Sequence, residues 1–189
     1  FNFFGFDNFY LTINYKAKIL KAYFDDTLHD YEVDFVEERK PLGTAGSLKL
    51  LEDKISKTFF ITNCDIIVDT NYVDLYNFHI EGKYDLTIVA CRKNFVIPYG
   101  TCKLDNEDNF SKIIEKPTLD LLINTGLYVA EPIILEHLKA DIFTHITTLI
   151  EKLKKSNMSI GLYIIDDESW IDIGQWAEYK KAISSFNNF

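Results

Sequence analysis

The chain has 189 residues, 47% of them hydrophobic, and a formal net charge of −9. That length suits one domain with a core of its own, and the apolar fraction excludes a disordered chain. The acidic balance argues against a nucleic-acid partner and an anionic membrane surface, since both need stripes of Lys and Arg; a nucleotide stays open if a divalent cation supplies positive charge.

The first element is a β-rich run, "NFYLTI" (Asn8–Ile13). "YKAKILKAYF" (15–24) spaces its apolar residues as a helix, and "YEVDFVEE" (31–38) alternates as a strand. "KPLGTAGSLKLL" (40–51) follows, a proline and two glycines set directly before a second helical pattern over Ser47–Ile55. "TFFITNCDIIVD" (58–69) is a near-continuous apolar run, then polar and acidic residues, as expected of a strand buried on both faces whose carboxyl end, after "FFIT", emerges into a site. "NYVDLYNFHIEG" (71–82) reads as a helix and "YDLTIVACRK" (84–93) as a strand. This alternation predicts a mostly parallel sheet flanked by helices, a Rossmann-like α/β fold.

The rhythm then changes. "YGTCKLDNEDNFSKIIEKP" (99–117) reads as a hairpin, "LLINTGLYVAEP" (121–132) as a strand and "THITTLIEKLKKS" (144–156) as a helix. "SIGLYIID" and "SWIDIG" are late strands, and "QWAEYKKAISSF" (175–186) closes as a helix. There is no repeat or linker, so the expectation is a single domain over 1–189.

Cys64, Cys91 and Cys102 lack metal-ligand spacing and read as small buried hydrophobes in a reducing, cytoplasmic compartment. No apolar run approaches the ~20 residues of a membrane span. The aromatic start, "FNFFGFDNFY", lacks the marks of a signal peptide and reads as core, as an interface, a homo-oligomer included, or as orphaned surface.

In open α/β sheets ligands lie beyond the carboxyl ends of strands. Asp65 and Asp172 both fall at such ends, and two carboxylates there could share Mg2+ or serve as ordinary loop acids. Asp69 reads as a turn or helix-capping acid. Glu115 and Lys116 close a strand before Pro117. Lys116 suits a phosphate and Glu115 suits sugar hydroxyls, with a solvated charge pair as the alternative. Gly100, and Asn124 within "NTGLY", mark places where a ligand could approach backbone.

"PLGTAGSL", "TNCDIIVD", "YG", "IIEKP", "NTGLYV" and "WIDIGQWAEYKKA" resemble, in order, the motifs of the sugar-phosphate nucleotidyltransferases. The resemblance spans Asn8 to Ser184 and is similar to the mannose-1-phosphate guanylyltransferase branch. It implies the nucleotide-diphospho-sugar transferase fold. The activity it implies is NTP plus sugar 1-phosphate giving a nucleotide-sugar such as GDP-mannose and pyrophosphate, with Mg2+ as cofactor and GTP among the candidate NTPs.

The resemblance places Leu42, Gly43, Thr44, Ala45 and Gly46 against the base, with Gly43 and Thr44 presenting backbone and a side chain at Gly43 blocking the ligand. It makes Asp65 and Asp172 the metal carboxylates and Lys116 the catalytic cation at the sugar phosphate. Gly100, Glu115 and Asn124 would bind the sugar.

Two departures stand out. Cys64 replaces a common glycine before Asp65, and the family's opening strand and basic glycine-rich loop have no match in "FNFFGFDNFY". The expectation is therefore a chain that starts within the family domain and is inactive alone. A non-catalytic sugar-nucleotide sensor is the second reading. A metal-dependent glycosyltransferase is the third, weakened because Asp65 and Asp69 lack its DxD spacing.

Overall fold

The computed structural model describes residues 1–27 and 30–174. The helix expected over 175–186 lies outside them. In chain order the elements are β1 (Asn8–Ile13), α1 (Ala17–Asp26), β2 (Glu32–Glu37), α2 (Gly43–Gly46), β3 (Phe59–Thr62), β4 (Ile66–Val68), α3 (Tyr72–Glu81), β5 (Leu86–Val96), β6 (Thr101–Leu104), β7 (Phe110–Ile114), β8 (Thr118–Ala130), α4 (Ile146–Lys155), β9 (Ile160–Asp166) and β10 (Trp170–Asp172). Four strands form one sheet in the order β3-β8-β5-β9. The strands β1 and β2 pair in parallel, while β10–β4 and β6–β7 are antiparallel ribbons. This is the mixed α/β architecture that the alternation of elements implies.

Two expectations are corrected. The strand read at "FFIT" ends after Thr62, ahead of Asp65, but the apolar residues beyond Asp65 are not its continuation: they form a separate strand, β4, that pairs with β10. The helix expected over Ser47–Ile55 is a single α-turn, α2, followed by a 3-10 turn over Ser47–Leu51. Gly43 and Gly46 give it little intrinsic helicity, and the segment is held by packing.

The described residues divide into two compact units. One comprises Phe1–Asn63, Asn71–Ile88 and Tyr128–Gly161; the other comprises Cys64–Thr70, Val89–Leu127 and the described residues from Leu162 onward. The core of the first unit joins Ala45 and Leu48 to Leu86, Tyr128, Ile134 and the inner face of α4. Ile146, Leu149 and Leu153 recur at helical spacing on that face, and all three are buried. Lys152, Lys154 and Lys155 fall in the last turn, where cations suit the helix dipole. The aromatic start packs here too. Phe1 lies 4.5 Å from Tyr72 and 5.8 Å from Phe60 between ring centroids. Phe3 stays 92% exposed.

The first unit also buries His79 completely. Its Nε2–H donates to Glu131 Oε1 at 3.3 Å, an oxygen that also accepts the Thr58 hydroxyl at 2.6 Å. That leaves Nδ1 as the acceptor of the Thr87 hydroxyl at 2.8 Å. Asn71 rather than Asp69 caps α3, accepting the N–H groups of Val73 and Asp74.

The second unit carries the hairpin that the Asn-Glu-Asp-Asn turn predicts. Asp105 closes it by accepting the N–H groups of Glu107 and Asn109. Of the cysteines only Cys91 is buried; Cys64 and Cys102 are exposed. Burial, with Asp167 nearby, pushes the Cys91 thiol above its ordinary range.

Candidate active site

In the first unit the glycine loop is fastened to its own chain. Thr144 N–H donates to Leu42 O at 2.8 Å, and Thr144 O accepts from Ala45 N at 2.9 Å and Gly46 N at 3.2 Å. Thr44 Oγ1 accepts the N–H of Ile146, the first residue of α4, at 2.9 Å. His145, at that helix's N-cap, supplies no side-chain cap, so the Thr44 hydroxyl does so from a distance.

Both glycines are required by this fastening. Gly43 has φ +78°, and a Cβ on it would stand 2.7 Å from Thr144 O. A Cβ on Gly46 would stand 2.6 Å from Ile142 O. The residue types are those expected of a ligand loop, but their first physical reason is the segment 142–144. Leu42, Ala45 and Gly46 are buried and Thr44 is exposed, so backbone at Gly43 and Thr44 is the surface this loop offers.

The second unit brings the two predicted carboxylates together. Asp65 directly precedes β4 and Asp172 ends β10; the ladder pairs Asp172 with Ile66 and is extended by Ile173 N donating to Asp65 O at 2.9 Å. A Cβ on Gly174 would lie 2.8 Å from Asp65 Oδ2 and 3.1 Å from Asp172 Oδ1. The absence of a side chain at Gly174 therefore leaves both carboxylates facing one small volume. Asp172 Oδ1 accepts Gly174 N at 3.0 Å, and among the described residues neither carboxylate forms a salt bridge. Two carboxylates at one point, without a cationic side-chain partner among the described residues, fit Mg2+, which is commonly bound by one or two carboxylates, water and substrate phosphates.

The residues expected to bind the sugar lie in the same unit. Gly100 and Glu115 are neighbours: a Cβ on Gly100 would be 3.0 Å from Glu115 Oε2. Lys116 is exposed and left-handed at φ +44°, so the chain turns sharply after Glu115, and Ile97 N bonds to Pro117 O at 3.0 Å. Asn124 Oδ1 accepts from Gly126 N at 3.4 Å, and Gly126 takes φ +90°, a conformation that glycine adopts without strain.

Sequence reasoning missed the roles of Gly174 and Thr144. Gly174 lies two residues past Asp172, within reach of local inspection. Thr144 pairs with residues about a hundred positions away, and nothing local marks it.

A glycine loop before a short helical turn in the first unit, with paired carboxylates at strand ends and a Glu-Lys turn in the second, is the pattern of a nucleotidyltransferase domain in an α/β frame. The chain belongs to the nucleotidyl transferase family, whose model matches residues 3–188.

It is 32% identical over 188 residues to the mannose-1-phosphate guanyltransferase of Yarrowia lipolytica, covering 90% of this chain and 49% of that protein. Thus it spans about half the length of the curated relatives it matches. Among solved structures it is similar to HddC from Yersinia pseudotuberculosis, with TM-score 0.74, 26% identity, and coverage of 98% of this chain and 81% of that one. The same protein complexed with GMP-PN gives TM-score 0.69 and 25% identity, with coverage of 94% and 77%.

Proposed function

We propose that this chain serves the synthesis of a GDP-sugar from GTP and a mannose-type sugar 1-phosphate, with release of pyrophosphate. The observation that carries the reading is the convergence of Asp65 and Asp172 on the space above Gly174. Support for the guanine base comes from the guanylyltransferases it resembles and from the relative complexed with GMP-PN.

Asp65 and Asp172 would hold Mg2+, which when bound offsets the negative charge that two approaching phosphates bring together. Lys116 adds a second cation on the sugar-phosphate side. Its exposed ammonium can orient the attacking phosphate oxygen toward the α-phosphorus. Glu115 and Asn124 accept and donate to sugar hydroxyls, and Gly100 gives the sugar room beside Glu115. Gly43 and Thr44 present backbone to the base, while Leu42, Ala45 and Gly46 hold that backbone in place.

Pyrophosphate release from GTP and mannose 1-phosphate with Mg2+, measured beside calorimetric titration with GDP-mannose, tests this reading. Binding together with release supports it. Binding without release that a segment bearing the family's basic glycine-rich loop restores would fit a catalytic domain inactive alone; binding that no such segment converts to release would favour a sugar-nucleotide-binding domain, and failure of both would overturn the proposal.

A further inference from the structure

The ribbon that carries the carboxylate pair is small. The strands β4 and β10 have three residues each, and so short a two-stranded ribbon is marginal alone. Some contact beyond the ladder must hold Asp172 beside Asp65.

Trp170 supplies such a contact. It lies two residues before Asp172, and residues two apart lie on one side of a strand. Its indole Nε1–H donates to the backbone carbonyl of Thr125 on β8 at 3.2 Å. Thr125 is itself fixed, being buried with its hydroxyl bonded to Val89 O on β5 at 2.8 Å. It also directly follows Asn124. On the other side, Lys93 Nζ lies 5.5 Å from the centre of the Trp170 ring and 3.1 Å from Asp167 Oδ1, so the same lysine joins β5 to the turn leading into β10.

We propose that Trp170 is a positioning residue that braces the β4–β10 ribbon against β8, setting the place of the Asp65/Asp172 pair relative to Asn124. The inference rests on the function proposed above. It adds to that reading a residue that touches no substrate but fixes the spacing between the carboxylates and the sugar-side strand. The direct readout is the ribbon's own hydrogen bonds, Asp69 N to Ser169 O at 2.8 Å and Ile173 N to Asp65 O at 2.9 Å.

Trp170→Phe keeps a ring for Lys93, removes the indole donor and leaves a smaller side chain. Amide hydrogen exchange at Asp69 and Ile173 should accelerate roughly tenfold, as when one hydrogen bond's contribution to a local opening is lost. Exchange at Ala45 and Gly46 should stay unchanged. Mn2+ affinity, read by electron paramagnetic resonance, and sugar 1-phosphate affinity, read by calorimetry, should both fall.

Lys93→Met, at a partly exposed position, gives a second and milder lesion with the same two amides as reporters, whether or not Trp170→Phe folds. Unmutated protein that binds Mn2+, with exchange and affinity unmoved in either variant, would overturn the brace and leave the proposed function intact. Unmutated protein that binds neither Mn2+ nor sugar 1-phosphate would overturn the function reading and the positioning role together. Accelerated exchange in the variants would then show a purely structural brace.

Discussion

Thr44 Oγ1 accepts the N–H of Ile146 at 2.9 Å across 102 positions of sequence. The residue that a ligand-loop reading assigns to the nucleotide thus spends its hydroxyl on the start of α4. Removing that acceptor should cost about 0.5–2 kcal/mol, the usual effect of deleting a helix cap, so Thr44→Val should lower the urea midpoint and Thr44→Ser should restore most of it.

Gly43→Val should be more severe. The left-handed φ costs an L-residue roughly 1–2 kcal/mol, and the new Cβ also meets Thr144 O at 2.7 Å. The sequence alone suggests a variant that folds normally and loses only ligand; the structure reverses that expectation. Gly43→Val with unchanged stability would mean that the loop is free to leave Thr144.

Features formed by near neighbours were legible without coordinates. The β6–β7 hairpin follows from Asp105 and its turn, and the apolar stripe of α4 from its own spacing. Asp65 and Asp172 could be placed at strand ends and paired over a shared cation, but the backbone route that joins them could not be read. That route depends on β4 leaving the run begun by β3 to pair with β10. A continuous apolar stretch carries no mark of which partner each half will find, so the second strand over Ile66–Val68 was hidden. Likewise, the two glycines of "GTAG" announce close approach without saying that the approaching group is the chain itself.

His79 gives the fold a pH dependence with a definite sign. Burial, the largest influence, holds its imidazole below its ordinary value of 6.5, although the Glu131 hydrogen bond and the nearby charges of Glu131 and Asp85 oppose this. The unfolded chain therefore binds a proton at His79 more readily than the folded one. Stability is fully present above pH 6.5 and declines as pH falls through 6.5 toward the lower folded value. Urea unfolding at pH 7.5 and 5.5 should show this loss, and His79→Asn should reduce the difference between the two midpoints. Equal losses in the two proteins would assign the slope to other groups.

Glu115 and Lys116 are adjacent in sequence but differ in what they offer a ligand. Lys116→Ala should weaken binding of a sugar 1-phosphate far more than that of the free sugar, because it removes a charge-assisted contact to phosphate. Glu115→Gln should weaken both alike, since it changes only an acceptor for hydroxyls. Calorimetry with mannose and mannose 1-phosphate separates the two patterns; identical profiles would refute the division of roles.

Gly174 offers the most direct test of the carboxylate pair. It is exposed, and its φ lies outside the left-handed range, so alanine brings no backbone strain of that kind. A methyl group there would stand 2.8 Å from Asp65 Oδ2 and 3.1 Å from Asp172 Oδ1, closer than carbon and oxygen tolerate, so the carboxylates must part. The cost to folding should be small, because both side chains can turn toward solvent. The cost to a shared cation should be large, because it needs both oxygens on one point. Mn2+ affinity should fall about tenfold or more, a loss of roughly 1.4 kcal/mol or greater in binding free energy. Asp65→Asn and Asp172→Asn should each weaken the cation at least as much. If Gly174→Ala bound Mn2+ as the unmutated chain does while both asparagine variants lost it, the cation would sit away from the space that Gly174 leaves open. If none of the three variants changed Mn2+ affinity, the two carboxylates would not form its site.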